Sequence, residues 1–361
     1  MFDVKQTSSP ALISALVEGP VAINPLQHPE WDALVAAHPK GSFFHGSAWA
    51  RVLQETYGHQ PFYFAAVTQG RLLGLLPVME LNRPLRGRRG VSLPFTDYCT
   101  VLGSETMAPA RLWENCLRQG RIRGWRSFEC RGMTDDMTEA KPSLSFYSHE
   151  IRLGQGEQRL WASFKSRVRT PVRRAQEAGV KIDFATSAEA MNTYYSLHCH
   201  TRRKHGLPPQ PRSFFENIQR HVMAKDYGRV ALARWQGQVV AGGVFVHLGR
   251  RAIHKFGASD PARQHLCANH LLLWETIQRY CHGGFESLEL GRTSIDNEGL
   301  RQFKLGFGAE EKPLRYCRYD YRANAFAVDR DRVQGWFNHV FRRLPMPMLR
   351  LAGRLLYPQL S

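Results

Sequence analysis

Basic side chains occupy the places in this chain where chemistry on negative charge is easiest to imagine. Lys304 lies in Gly299-Leu300-Arg301-Gln302-Phe303-Lys304-Leu305-Gly306-Phe307-Gly308, bracketed by Phe303 and Phe307. An ammonium held in a water-poor cleft can stabilise a developing oxyanion or leaving group, worth roughly 3 kcal/mol for one such donor. Lys255 lies in Ala252-Ile253-His254-Lys255-Phe256-Gly257, whose alternation reads as a strand, and it faces opposite His254 and Phe256. Arg292 follows a second strand, Phe285 to Leu290. Lys165, Arg169, Arg173 and Arg174 recur near helical spacing and could turn one cationic face to phosphates. A solvated helix surface is the plain alternative, and Pro171 is expected to break or restart that helix. His198-Cys199-His200 is not read as a metal site, because adjacent helical residues point apart and no second ligand pair stands out. No Ser-His-Asp order, P-loop or GxGxxG is visible.

These side chains need a frame. Residues 252–308 read strand, turn (Ala258 to Arg263), helix, strand and lysine motif, with Gly283-Gly284 stopping the helix. Upstream, Phe62–Val67 and Leu72–Val78 flank Thr68-Gln69-Gly70-Arg71, a hairpin. The pattern returns in Val230–Arg234 and Val239–Val246 around Trp235-Gln236-Gly237-Gln238, a candidate internal repeat. Helices are expected over Trp31–Ala37, Ser47–Tyr57 with Ser47 as its cap, Met107–Arg121, Tyr194–Lys204 and Phe214–Met223. A final strand is expected over Pro313–Tyr321. Two basic amphipathic stretches, 336–344 and 348–357, close the chain, either packed on a domain or lying on an anionic membrane. The basic loop 83–90 reads as a solvated hairpin tip or an anion contact.

Length and composition bound these readings. The 361 residues suffice for two domains with full cores, and 43% apolar content excludes a disordered chain. Forty-nine Lys and Arg against 31 Asp and Glu give a net charge of +18, a field that attracts polyanions without choosing among them. Seven scattered cysteines without a CxxC pair argue against a disulfide framework and for a reducing cytoplasm. Residues 1–25 read as a leader strand without a signal peptide, and no run is apolar enough to span a membrane.

The order strand, helix, strand and then Gly299, Phe303, Lys304, Phe307 and Gly308 resembles the FemAB-like transferases, a branch of the GNAT acyltransferase superfamily. The resemblance covers residues 25–320. It implies an α/β (α+β) fold of two tandem GNAT-like domains, each a mixed, mostly antiparallel sheet flanked by helices. Domain limits are expected at 1–150 and 151–322, followed by a basic tail, 323–361. The resemblance gives Lys304 the electrostatic role and places Asp97, in Ser92-Leu93-Pro94-Phe95-Thr96-Asp97-Tyr98, at the acceptor. Asp97 would take a proton or orient the amine, and Lys255, Arg292, Phe303, Arg169, Arg173 and Arg174 would bind substrate. GNAT enzymes cradle coenzyme A on a loop at a helix N-terminus, here Arg263 to Ala268 with Asn269. The glycine usual in that loop is absent, which leaves acyl-CoA and aminoacyl-tRNA both open as donors.

The expectation is therefore an N-acyltransferase or aminoacyltransferase acting on an amine of a cell-envelope or exopolysaccharide precursor. It would have no tightly bound cofactor and no metal, and it would be cytoplasmic, with the inner membrane face as a possible partner. The rival is a non-catalytic tRNA- or nucleic-acid-binding protein driven by charge. A membrane-surface scaffold is the third.

Overall fold

The computed structural model describes residues 19–83, 87–134, 137, 141–328 and 337–360. The leader before residue 19, the tip of the basic loop at 84–86 and Trp336 lie outside the described residues. The chain divides into two compact units. The first holds residues 1–146 and 313–331, the second 147–312 and 332–360, so each unit is completed by a segment from beyond the other.

The first unit begins with β1 (Val21–Ile23), α1 (Trp31–Ala37) and α2 (Ser47–Tyr57). Ser47 does not cap α2; Gly46 does, and Ser47 gives its amide and hydroxyl to the Asp32 carboxylate at 2.6 and 2.9 Å. There follow β2 (Gln60–Pro61), β3 (Tyr63–Thr68), β4 (Arg71–Leu76), β5 (Met79–Arg83), β6 (Gly87–Val91), α3 (Pro109–Ile122) and β7 (Ser127–Met133). Phe62, Phe64, Trp113, Trp125 and Phe128 anchor its core.

The second unit takes up β8 (Leu144–Arg152) from Tyr147 onward, then α4 (Glu157–Ser163), α5 (Ser166–Glu177), β9 (Lys181–Ala185), α6 (Ala188–Lys204) and α7 (Arg212–His221). The hairpin β10 (Gly228–Trp235) and β11 (Gln238–Leu248) leads to β12 (Arg251–Ser259), α8 (Ala268–His282), β13 (Ser287–Ser294) and α9 (Glu298–Gly306). Strands β9, β10, β11 and β12 pair antiparallel in that order, and β12 then pairs parallel with β13. Leu271, Leu272, Trp274 and Ile277 of α8 fill the core with Val168 and Val172 of α5. Helix α5 runs unbroken through Pro171. Proline costs it one hydrogen bond, but the buried stripe Val168, Val172, Ala175 holds both turns to the core. Strand β14 (Glu310–Asp320) passes back into the first unit, where β15 (Ala325–Ala327) pairs with it. The tail forms α10 (Phe337–Arg343) and α11 (Met346–Leu360).

The two halves repeat each other in detail. Both hairpins turn on a Gln-Gly pair with φ of 50° and 69° at Gln69-Gly70, and 49° and 77° at Gln236-Gly237. Two consecutive positive φ values are what a two-residue hairpin turn demands. Both also carry one extra residue at the same offset from the turn. Leu73 is bulged between the Ala66 and Val67 pairs, and Val240 between the Ala233 and Arg234 pairs. Further on, β6 pairs parallel with β7 through Val91 and Glu129, as β12 does with β13 through Ile253 and Glu289. Each half thus carries a mixed, mostly antiparallel sheet flanked by helices, as the sequence led us to expect.

Candidate active site in the C-terminal unit

The site is built on a parting of strands. β12 and β13 pair only through Arg251–Ser287, Ala252–Leu288 and Ile253–Glu289. Both strands then run on, β12 to Ser259 and β13 to Ser294. The cause is local. Opposite β11, Val244 pairs with Phe256 and Phe245 with His254, which leaves Lys255 as a β-bulge. A bulge bends its strand and re-aims a side chain, and this one falls two residues after the last parallel pair. His254 spans it, stacking on Phe245 at 4.6 Å and bonding the Phe256 carbonyl at 3.1 Å. Gly243 and Gly257 make the room for this stack: a Cβ on Gly243 would stand 2.7 Å from the Phe245 ring, and one on Gly257 3.3 Å from His254 Nε2. The equivalent strand of the first unit differs. β6 ends at Val91, and the Ser92 amide is tied to the Glu129 carbonyl at 2.7 Å.

Charge is buried here and almost nowhere else. Among the described residues four Lys, Arg, Asp or Glu are buried: Glu80, Lys255, Glu289 and Lys304. The last three lie on β12, β13 and α9. Buried charge is expensive unless partnered, and such clusters concentrate at functional sites. Lys255 sits 5.0 Å from the Phe256 ring centre.

Lys304 is only 5% exposed and lies on a helix. Its ammonium donates to the carbonyls of Gly291 at 2.8 Å and Arg292 at 3.1 Å. Gly291 has a φ of 70°, a conformation that favours glycine. Asn297 caps α9 by accepting from the Leu300 amide at 3.1 Å, which fixes where the helix begins. Gly306 lets α9 close on α5, for a Cβ there would meet Val168 Cγ2 at 2.7 Å. Phe303 and Phe307 face the first turn of α8, with His270 centred 4.9 and 6.2 Å from them. Burial among these rings pushes the His270 pKa down to about 4. The glycine–phenylalanine–lysine motif is therefore a packing device that delivers one ammonium to the end of β13.

Beside it lies a second polar network. His149 is fully buried, 3.0 Å from Glu311 and 3.4 Å from the Thr293 hydroxyl. Burial first, then the Lys304 charge, holds its pKa below the ordinary histidine value. Arg301 grips Glu311 with two bonds of 2.8 Å.

The other residues singled out in the sequence are more dispersed. Arg292 is within β13, not after it, and is exposed. Arg169 and Arg173 share a face of α5 while Arg174 turns about 100° away; Arg173 lies over Trp161. Arg263 stacks over Trp235 at 5.0 Å, in the turn Pro261–Leu266 that Asp260 caps through the Ala262 amide. Ala268 is the buried first residue of α8, and Asn269 is exposed beside it. Asp97 belongs to the first unit, in the loop after β6, and its carbonyl accepts from the Tyr316 hydroxyl. His198 turns inward to Gln210 at 2.8 Å while His200 is exposed, so that tripeptide diverges as expected for a helix.

Glu289 and His149 were not singled out from the sequence. A signal for Glu289 exists. Gly124-Trp125-Arg126-Ser127-Phe128-Glu129 recurs as Gly284-Phe285-Glu286-Ser287-Leu288-Glu289. Each copy starts on a positive-φ glycine and ends at the last parallel pair.

A family model described as an acetyltransferase (GNAT) domain matches residues 162–311. That segment matches a GNAT acetyltransferase domain, which supports N-acyl transfer by this chain. The crystal structure of FemX superposes with a TM-score of 0.65 at 15% identity, covering 79% of this chain and 94% of that one. A tandem GNAT protein from the clavulanic acid biosynthesis pathway gives 0.51 at 11% identity, with 84% and 97% covered. The C-terminal domain of a putative lysylphosphatidylglycerol synthetase from Agrobacterium fabrum gives 0.50 at 14%, with 75% and 86% covered. No curated protein matches the chain by sequence.

Proposed function

We propose that this enzyme moves an acyl or aminoacyl group from an activated carrier to an amine of a cell-envelope precursor, at the parting of β12 and β13. The observation that carries the proposal is the burial of Lys255, Glu289 and Lys304 on the three elements around that parting. In such a transfer the amine attacks the donor carbonyl carbon, and charge gathers on the oxygen. Collapse then expels a thiolate, from coenzyme A, or a ribose hydroxyl, from aminoacyl-tRNA. Lys304 and Lys255 supply fixed positive potential for the oxyanion and leaving group. Glu289, on β13, is the candidate to take the amine proton.

Arg263, Ala268 and Asn269, at the start of α8, are proposed to meet the donor, where a helix N-terminus favours anions. Arg169, Arg173 and Arg174 are proposed to hold its phosphates, and Arg292 and Phe303 to border the acyl chain. Envelope chemistry is favoured by the company of FemX and a lysylphosphatidylglycerol synthetase domain among similar folds. Attachment to the inner membrane face through residues 336–357 belongs to the same reading. Plain polyanion binding would account for the charge but not for the GNAT domain.

Thermal shift against acetyl-CoA, a long-chain acyl-CoA and a charged tRNA, at low and high salt, tests the donor. A salt-resistant shift with one coenzyme A ester, followed by thiol release with an amine acceptor, is the expected result. No shift and no turnover with any donor would overturn the proposal.

A further inference from the structure

Helix α11 has two opposite apolar seams, and only one of them is used. Leu349 is fully buried and Tyr357 is 6% exposed, and Gly353 between them lies against the domain. A Cβ at Gly353 would stand 2.0 Å from the Pro209 carbonyl oxygen. The Tyr357 hydroxyl accepts from Arg202 at 2.9 Å, and Asn338 of α10 donates to the Gly206 carbonyl at 3.1 Å. The tail is thus docked on the corner between α6 and α7.

The far seam is bare. At about 100° per residue, Met348, Leu351 and Leu355 fall within an arc of about 60°, opposite Leu349 and Gly353. They are 56%, 56% and 63% exposed. Of the eleven exposed large hydrophobics among the described residues, six lie in the tail. Residues 337–360 contain four arginines, Arg342, Arg343, Arg350 and Arg354, and no Asp or Glu. Arg354 borders the bare seam on one side and is exposed, whereas Arg350 lies about 40° further round, with its guanidinium 5.5 Å over the Tyr195 ring.

We propose that this seam seats the enzyme on an anionic lipid surface, with Met348, Leu351 and Leu355 at the acyl boundary and the arginines among phosphate headgroups. Two other occupants fit less well. A second copy would bring four arginines against four. A nucleic acid would take the arginines and leave the leucines in water. An amphipathic helix with a cationic margin and a protruding aliphatic face matches an anionic bilayer on both counts. The inference deepens the membrane part of the function proposed above, yet it needs neither donor nor acceptor.

Flotation of the full chain with phosphatidylcholine vesicles, with and without phosphatidylglycerol, tests it. Binding is expected only to the anionic vesicles and should weaken at high salt. R354Q should lower partitioning about fivefold. L351S/L355S should lower it more, with the melting temperature unchanged because both side chains are exposed. Equal binding by L351S/L355S, no binding to anionic vesicles, or concentration-dependent dimerisation that these variants abolish would each overturn the docking. Acyl transfer to a soluble amine without vesicle binding would refute the docking alone. Vesicle binding without any turnover would refute the transferase reading alone.

Discussion

Replacing Lys304 by methionine keeps the length of the side chain and removes its charge. Two carbonyls, of Gly291 and Arg292, then lose a donor that stands 2.8 and 3.1 Å away. Hydrogen bonds to a charged group contribute roughly 1.5–3 kcal/mol each, and a buried acceptor left unmatched costs about as much. Relief of the ammonium's own burial offsets part of that loss. A net cost of about 2–4 kcal/mol is expected, which in a unit of this size lowers the melting temperature by roughly 5–12 °C. The substitution has a second readout that owes nothing to turnover. The Lys304 charge is one of the causes that hold the His149 pKa down, after burial. K304M should therefore raise the His149 pKa, visible in the NMR titration of its ring. If the oxyanion role is also right, kcat should fall about 10²-fold or more at temperatures where the variant is folded. An unchanged melting temperature with an unchanged His149 titration would refute the geometry. A shifted titration with full activity would leave Lys304 as a clamp and remove it from the chemistry.

Other perturbations probe the frame. G306A puts a methyl 2.7 Å from Val168 Cγ2, and calorimetry should show a loss of about 1–3 kcal/mol from overpacking. E289Q should cost activity, while E129Q in the first unit should leave turnover unchanged; an identical response from both would refute the assignment of transfer to the C-terminal unit. The His198 pKa is pushed down to about 3 and that of His270 to about 4, chiefly by burial. An unfolded histidine binds its proton near 6.5, so between those values the unfolded chain holds more protons and stability falls as pH drops. The slope is up to about 1.4 kcal/mol per pH unit for each histidine, and H270F should flatten it measurably in melts between pH 6.5 and 4.

The repeated architecture was legible because its signals are local. A Gln-Gly turn between two apolar strands is written in adjacent residues, and so is the run of leucines that makes α8. The helix over 298–306 and the burial of Lys304 were not legible in the same way. Lysine in a basic chain is ordinarily at the surface, and only the meeting of α9 with α5 and the end of β13 carries it inside. Lys255 shows the limit most clearly. Alternation in Ala252–Gly257 correctly announces a strand, but a bulge shifts the alternation by one residue, and nothing in that hexapeptide alone says where the shift falls. It is fixed from outside, by the pairing with β11 and by the space that Gly243 leaves for the Phe245 ring on which His254 stacks. The same bulge follows the last pair between β12 and β13. The feature that makes this half a candidate for catalysis, and the first half a companion of the same fold, is thus a property of register, which arises between segments and not within any one of them.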